Sequence, residues 1–129
     1  MFAGTNLFRA QFTNCKMTGS SFIDADLTAL SIVAGDWSYT NLRHGNLSGL
    51  DLQHVRFVEA DLYGCNVENA DLRGADLTRA NLAQAILTGA DFRDAVIEGI
   101  DFKSMNLQGV RLDVAQAIQV AMAYGAKVG

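Results

Sequence analysis

Every fifth residue from Phe2 onward is large and apolar: Leu7, Phe12, Met17, Phe22, Leu27, Ile32, Trp37, Leu42, Leu47, Leu52 and Phe57. The series runs on without a slip through Leu62, Val67, Leu72, Leu77, Leu82, Leu87, Phe92, Ile97, Phe102, Leu107 and Leu112. With 50% of residues hydrophobic, chance would give such a run roughly once in 10⁷. Two residues before each centre the side chain is mostly small, as at Cys15, Ser20, Ala25, Gly45, Ala60, Cys65, Ala70, Ala75, Ala80, Ala85, Ala90 and Ala95. One residue before it, Asp or Asn dominates (Asn6, Asp26, Asp36, Asn41, Asn46, Asp51, Asp61, Asn66, Asp71, Asp76, Asn81, Asp91, Asp101, Asn106). Glycine recurs two residues after it, at Gly4, Gly19, Gly49, Gly64, Gly74, Gly89, Gly99 and Gly109. A helix would spread this stripe around its surface. One long strand would throw successive centres to opposite faces. What remains is a short extended piece and a turn every five residues, centre and small residue both inward. The Asp or Asn then bonds turn N–H groups, and the residue after the centre tolerates unusual φ.

The A(D/N)LXX pattern, cleanest in ADLRG ADLTR ANLAQ at residues 70–84, resembles the pentapeptide-repeat family over residues 2–112. The resemblance implies an all-β solenoid, a right-handed quadrilateral β-helix in which four repeats make one square coil. Residues 1–112 would form the β-helix and residues 113–129 a helix and tail. Almost six coils at ~4.8 Å each predict a rod of about 27 Å. A twenty-residue coil also predicts four inward stacks: Phe2 to Phe102, Leu7 to Leu107, Phe12 to Leu112 and Met17 to Ile97. Larger residues at the small position (Leu30, Leu50, Val55, Ile100, Met105, Val110) need local widening or a changed turn.

The rhythm stops after Leu112. Asp113 is an N-cap, Val114 to Tyr124 holds no helix breaker, and Gly125 suits the stop. Val114, Ala117, Ile118 and Ala121 share one face, expected to cover the open coil as solenoids require. Gln116 and Gln119 form the polar stripe. The remaining apolar residues predict a homodimer through this tail, with Ile118, Val120, Met122 and Tyr124 at the interface. The ending RLDVAQAIQVAMAYGAKVG resembles the terminal helix of pentapeptide proteins that protect DNA gyrase from fluoroquinolones. In that group the helix carries two-fold dimerisation. At the other end the repeats begin at residue 2, so either Met1 opens a truncated chain or another element covers the first coil.

The chain has 129 residues, a net charge of −4 and no proline. Its length suits one domain with a sizeable core. Excluding proline fits a backbone whose N–H groups nearly all sit in ladders. The acidic balance argues against general nucleic-acid binding, no apolar run is long enough to span a membrane, and nothing marks secretion. A cytoplasmic protein is expected. Cys15 and Cys65 are two and a half coils apart, too far for a disulfide, and are expected as buried thiols. His44 and His54 lie on opposite sides and do not converge on a metal. No phosphate loop or nucleophile–base pair appears, so no enzyme activity and no cofactor are expected. Asp51, Asp71 and Asp91 should stack as an acidic strip open to a partner, with Arg73 and Arg93 beside them. Phe8, Ile23, Val33, Tyr39, Val58 and Tyr63 should point outward, Trp37 inward. The leading function is a rigid protein-interaction module. The alternative, which the resemblance supplies, is a DNA mimic that binds gyrase or topoisomerase IV.

Overall fold

Each five-residue unit closes on a turn held by one side chain. Phe8 N–H donates to the Asn6 side-chain oxygen at 3.0 Å, and Ala10 N–H donates to the Leu7 carbonyl at 2.8 Å. Arg9, third in that turn, has φ 61°, which makes it type II. The same side-chain bond recurs at Asp26, Asp36, Asn41, Asn46, Asp51, Asp61, Asn66, Asp71, Asp76, Asn81, Asp91, Asp101 and Asn106. Positive φ two residues past the centre is not confined to glycine. Residues as varied as Asp24, Ala29, Tyr39, His44, Glu59, Asn69 and Arg79 adopt it, between 53° and 61°.

The computed structural model describes residues 2–129; Met1, included above in the β-helix of residues 1–112, lies outside them. Coils stack in a twenty-residue parallel register: Asn6 pairs with Asp26, Asn41 with Asp61, Asp61 with Asn81, and Asp71 with Asp91. Two three-residue strands, β1 (Gln11–Thr13) and β2 (Ser31–Val33), pair in parallel where the first two coils widen. That widening falls beside Leu30, one of the oversized residues. Leu50 and Val55 are absorbed without a changed turn, and Asp51 still pairs with Asp71.

The centres fill the rod. Leu42, Leu52, Leu62, Leu72, Leu77 and Leu82 are essentially inaccessible, as are Trp37, Phe57 and Phe92. At about 1.5–3 kcal/mol for each fully buried side chain, this stack is the main source of stability. Towards the amino end it is aromatic: Phe2 stacks on Phe22 at 5.0 Å, Phe22 on Trp37 at 4.9 Å, and Phe12 meets Trp37 edge-on at 5.5 Å.

The ladder is interrupted twice: among the described residues, 26–34 form no backbone hydrogen bond to 46–54, and a second break lies near the carboxy end. Residues Phe102–Ser104 form a 3-10 turn, and Gly89 N–H reaches the Gly109 carbonyl, one residue beyond the register seen elsewhere. Both oversized residues at these corners, Ile100 and Met105, flank the disturbance. Phe102 stays buried, so the inward stack outlasts the hydrogen bonds.

Helix α1 spans Val114–Ala123, capped by Asp113 in a reciprocal pair with Gln116; Gly125 follows at φ 89°. Its orientation corrects the expectation. Val114 is 79% exposed, Ala117 and Ile118 are also exposed, and Gln116 is the residue that is buried. The reason lies in the backbone. Within the rod, Val96 N–H donates to the Ala75 carbonyl; Ala95 has no next coil to supply such a donor. Gln116 supplies it, its side-chain amide donating to the Ala95 carbonyl at 2.8 Å and to that of Phe92. Gln119 reaches the Ile97 carbonyl at 3.4 Å. An open β-edge needs hydrogen-bond donors more than it needs apolar cover.

Candidate interaction site

The carboxylates expected as a strip do form a column. Asp51 pairs with Asp71 and Asp71 with Asp91 on one side of the rod. The column is not bare. Arg73 binds the Asp71 carboxylate through Nε (2.9 Å) and Nη2 (2.7 Å) and lies 3.9 Å from Asp91. Arg93 grips Asp91 in the same two-pronged way. That guanidinium, helped by the Arg93 N–H, holds the Asp91 carboxyl down at about 2 against an ordinary 3.8. Asp71 is lowered chiefly by its bond from Arg73. Paired ions at a surface largely cancel each other's field, so this side presents alternating charge. The adjoining side behaves alike: Arg56 approaches Asp36 at 3.8 Å, and Arg79 meets Glu59 at 3.4 Å. Glu59 also accepts a bond from the Tyr39 hydroxyl at 3.1 Å.

His44 and His54 stand apart, each at a turn with positive φ. Their rings lie on the glycine one coil on. A Cβ at Gly64 would come 2.4 Å from His44 Nδ1, and one at Gly74 equally close to His54 Nδ1. Each histidine thus occupies space that a glycine vacates, a pairing twenty residues apart that sequence inspection can find. Among the described residues no group of three or more His, Cys, Asp or Glu is placed to hold a metal ion.

Cys65 is buried, its thiol donating to the Leu42 carbonyl at 2.9 Å. Burial pushes it up to about 12, so it stays a thiol at neutral pH. Cys15 departs from the expectation of burial and is only half-buried. It sits at the widened turn, where the wall of the rod leaves a shallow groove of about 350 Å³ beside Gly35, Asp36, His54 and Arg56. Phe8, Ile23, Val33 and Tyr39 are exposed as expected; Val58 and Tyr63 are half-buried. Tyr63 lies under the Arg43 guanidinium at 4.4 Å. Trp37 is fully buried.

A run of exposed apolar side chains lies on the tail. Val114, Ile118 and Met122 recur every four residues along the outer face of α1, at 79%, 38% and 58% exposure. Of the other residues expected at an interface, Val120 packs against the rod. Tyr124 is 55% exposed, with its hydroxyl donating to the Phe102 carbonyl at 3.2 Å. Ile86 and Val96 are further exposed residues, standing where Asp or Asn is the rule; the break in that rule was their signal. Among the described residues no helix is long and apolar enough to cross a membrane.

No curated protein sequence matches this chain. Solved structures do resemble it. A trypsin-treated form of QnrB1, a plasmid-mediated fluoroquinolone resistance protein, superposes with a TM-score of 0.74 at 23% identity, over 99% of this chain and 62% of that one. HetL, a pentapeptide repeat protein involved in heterocyst differentiation regulation in the cyanobacterium Nostoc, gives 0.65 at 21% identity, over 84% and 58%. A pentapeptide repeat protein of the Arabidopsis thaliana thylakoid lumen gives 0.55 at 26% identity, over 95% and 78%. The chain thus spans about three-fifths of the first two, and at such identities the likeness is one of fold. In sequence, residues 5–82 match the pentapeptide repeat region and residues 75–113 the pentapeptide repeats. The chain belongs to the pentapeptide repeat family.

Proposed function

We propose that this protein is a non-catalytic interaction module that works as a homodimer joined through α1, offering the sides of two rigid rods to a protein partner. The outer face of α1 carries the reading. Gln116 and Gln119 hold the other face of the helix to the rod, so Val114, Ile118 and Met122 stay exposed among the described residues. A second copy related by a two-fold would bury the same residues on both sides, as closed dimers do. Tyr124 lies at the edge of this contact. Light scattering at about 5 µM tests it. The chain is expected to be dimeric, and the pair Ile118→Glu with Met122→Glu to be monomeric with unchanged circular dichroism. A dimer that survives both substitutions refutes the tail contact.

The alternative, a DNA mimic directed at gyrase or topoisomerase IV, draws on the tail's resemblance and the net charge of −4. The ion pairs at Asp36, Glu59, Asp61, Asp71 and Asp91 count against it, because mimicry of a duplex calls for carboxylates free to meet a basic channel. A supercoiling assay separates the two. The interaction-module reading expects gyrase to be indifferent to the dimer, with or without a fluoroquinolone.

A further inference from the structure

Between residues 26–34 and residues 46–54, one coil apart, the wall of the rod is open on two adjoining sides. Strict register would have Leu27 N–H donate to the Asn46 carbonyl, Asn46 N–H to that of Ala25, Ile32 N–H to that of Asp51, and Asp51 N–H to that of Leu30. None of these bonds forms. Both lips stay bonded on their far sides, Asp26 N–H to the Thr5 carbonyl at 2.9 Å and Leu52 N–H to the Asp71 carbonyl at 2.7 Å. The other two sides of the same storey are closed. At one end of the opening Phe22 N–H donates to the Asn41 carbonyl at 2.8 Å; at the other Trp37 N–H donates to that of Arg56 at 2.7 Å and Tyr39 N–H to that of Val58 at 2.9 Å. A cavity of about 260 Å³ marks the opening, lined by Ile32, Val33, Ala34, Asp51, Gln53 and His54.

The cause lies at one corner. Leu30 and Leu50 stand one coil apart at the small inward position, where Ala10, Ala70 and Ala90 stand in other coils, and both are buried. Two leucines wedge apart coils that alanines let close. The turns beside them are stretched: Leu50 N–H meets the Leu47 carbonyl at 3.3 Å and Val55 N–H that of Leu52 at 3.4 Å, against 3.1 Å at both Ala70 and Ala75. A glycine stands at each end of the opening. Gly35, at φ 97°, ends it, its carbonyl accepting from Arg56 N–H at 3.2 Å. Gly45 precedes its first residue on the other lip, and Leu27 fills the place of the missing side chain, its Cδ1 2.9 Å from where a Cβ would lie. The interior thus stays sealed although the wall is not.

We propose that this opening is a hinge, held apart by Leu30 and Leu50, about which residues 2–34 rock as one stiff block against residues 46–112. A square tube bonded on every side cannot bend without breaking a ladder. With two adjoining sides free and two bonded, one motion breaks none: the opening widens or narrows about the closed walls at Phe22 and Trp37. Across it only apolar side chains meet, and their contact is not directional, so they slide where hydrogen bonds would hold. Hinges concentrate such a change in a few residues at the ends of stiff elements, where Gly35 and Gly45 are placed. The inference goes beyond the interaction-module reading. It gives the walls of each rod a range of alignments, from which a partner gripping both blocks would select.

Pulsed electron paramagnetic resonance tests the hinge on the full chain carrying Cys15→Ser and Cys65→Ala, with labelled protein diluted in unlabelled so that only distances within one molecule are read. Spin labels on Thr28→Cys and Thr88→Cys lie three coils apart on an open side; labels on Thr18→Cys and Thr78→Cys lie as many coils apart on a closed one. The first pair should give a distance distribution at least about twice as broad as the second. Leu30→Ala with Leu50→Ala, circular dichroism unchanged, should narrow the first distribution towards the second and shorten its mean. Equal widths for the two pairs in the parent chain overturn the hinge, whatever the alanine variant does. A folded alanine variant whose first distribution stays as broad overturns it too, because the leucines would then not be what holds the opening. Neither outcome depends on the tail dimer.

Discussion

Asp91 condenses what a single residue does in this fold. Its carboxylate accepts the Arg93 N–H that closes the turn and a two-pronged bond from the Arg93 guanidinium. Both favour the charged form, which is why its value lies at about 2. Because the folded value is below the unfolded one, the stabilisation is complete above about pH 4 and fades as pH falls through about 2. Carboxyl titration by NMR should show Asp91 moving up towards 3.8 in Arg93→Ala. The inward and turn positions should differ sharply in tolerance. Leu72→Asp places an unpaired charge between Leu52 and Phe92 and should cost more than about 4 kcal/mol. Asp76→Ala removes a turn bond and should cost about 1 kcal/mol. Thermal or denaturant melts compare the two; equal losses would contradict the register. The turn roles were open to sequence reading because each depends on neighbours within two residues, and the inward role of Leu72 because the five-residue period places it. The left-handed φ at His44, Tyr39 or Arg79 was less so: those side chains do not advertise it, and only their spacing from glycine-bearing turns does.

At the scale of elements, the turns and coils follow from the five-residue rhythm, and the limits of α1 from Asp113 and Gly125. The face that α1 turns inward did not follow. Hydrophobic patterning selects Val114, Ala117 and Ile118, whereas the last coil presents carbonyls lacking donors, and Gln116 answers them. Polar demand at a β-edge leaves no mark on an apolar count. Gln116→Leu should therefore destabilise the chain by about 2–4 kcal/mol, since it strands buried carbonyls and also undoes the reciprocal cap. Gln116→Glu would set a carboxylate against those same carbonyls and should be worse still. Urea denaturation followed by circular dichroism measures both. The 3-10 turn at Phe102–Ser104 was half visible, in the oversized Ile100 and Met105, though its form depends on how the coil beneath yields.

For the whole molecule, each coil touches only its neighbours, so stability is passed along one axis. The two ends differ. The carboxy end is covered by α1, while the amino end leaves Phe2 and Phe12 half-buried. Hydrogen exchange should therefore be fastest for amides of residues 2–19 and slowest near Leu52 to Leu77, a gradient that mass spectrometry of peptides would display. Uniform protection along the chain would refute it. The function was the least accessible level, because the same inward pattern serves any partner and the outward residues mostly close turns or pair with one another.

The pairing of residue n with residue n + 20 carries one more implication. A duplication of twenty residues would lengthen the rod by a storey and return every side to its former compass bearing. A duplication of five would swing everything downstream, α1 included, through a quarter turn. Two rods joined at their tails would then show a partner different walls from the ones they show now, with scarcely a residue altered.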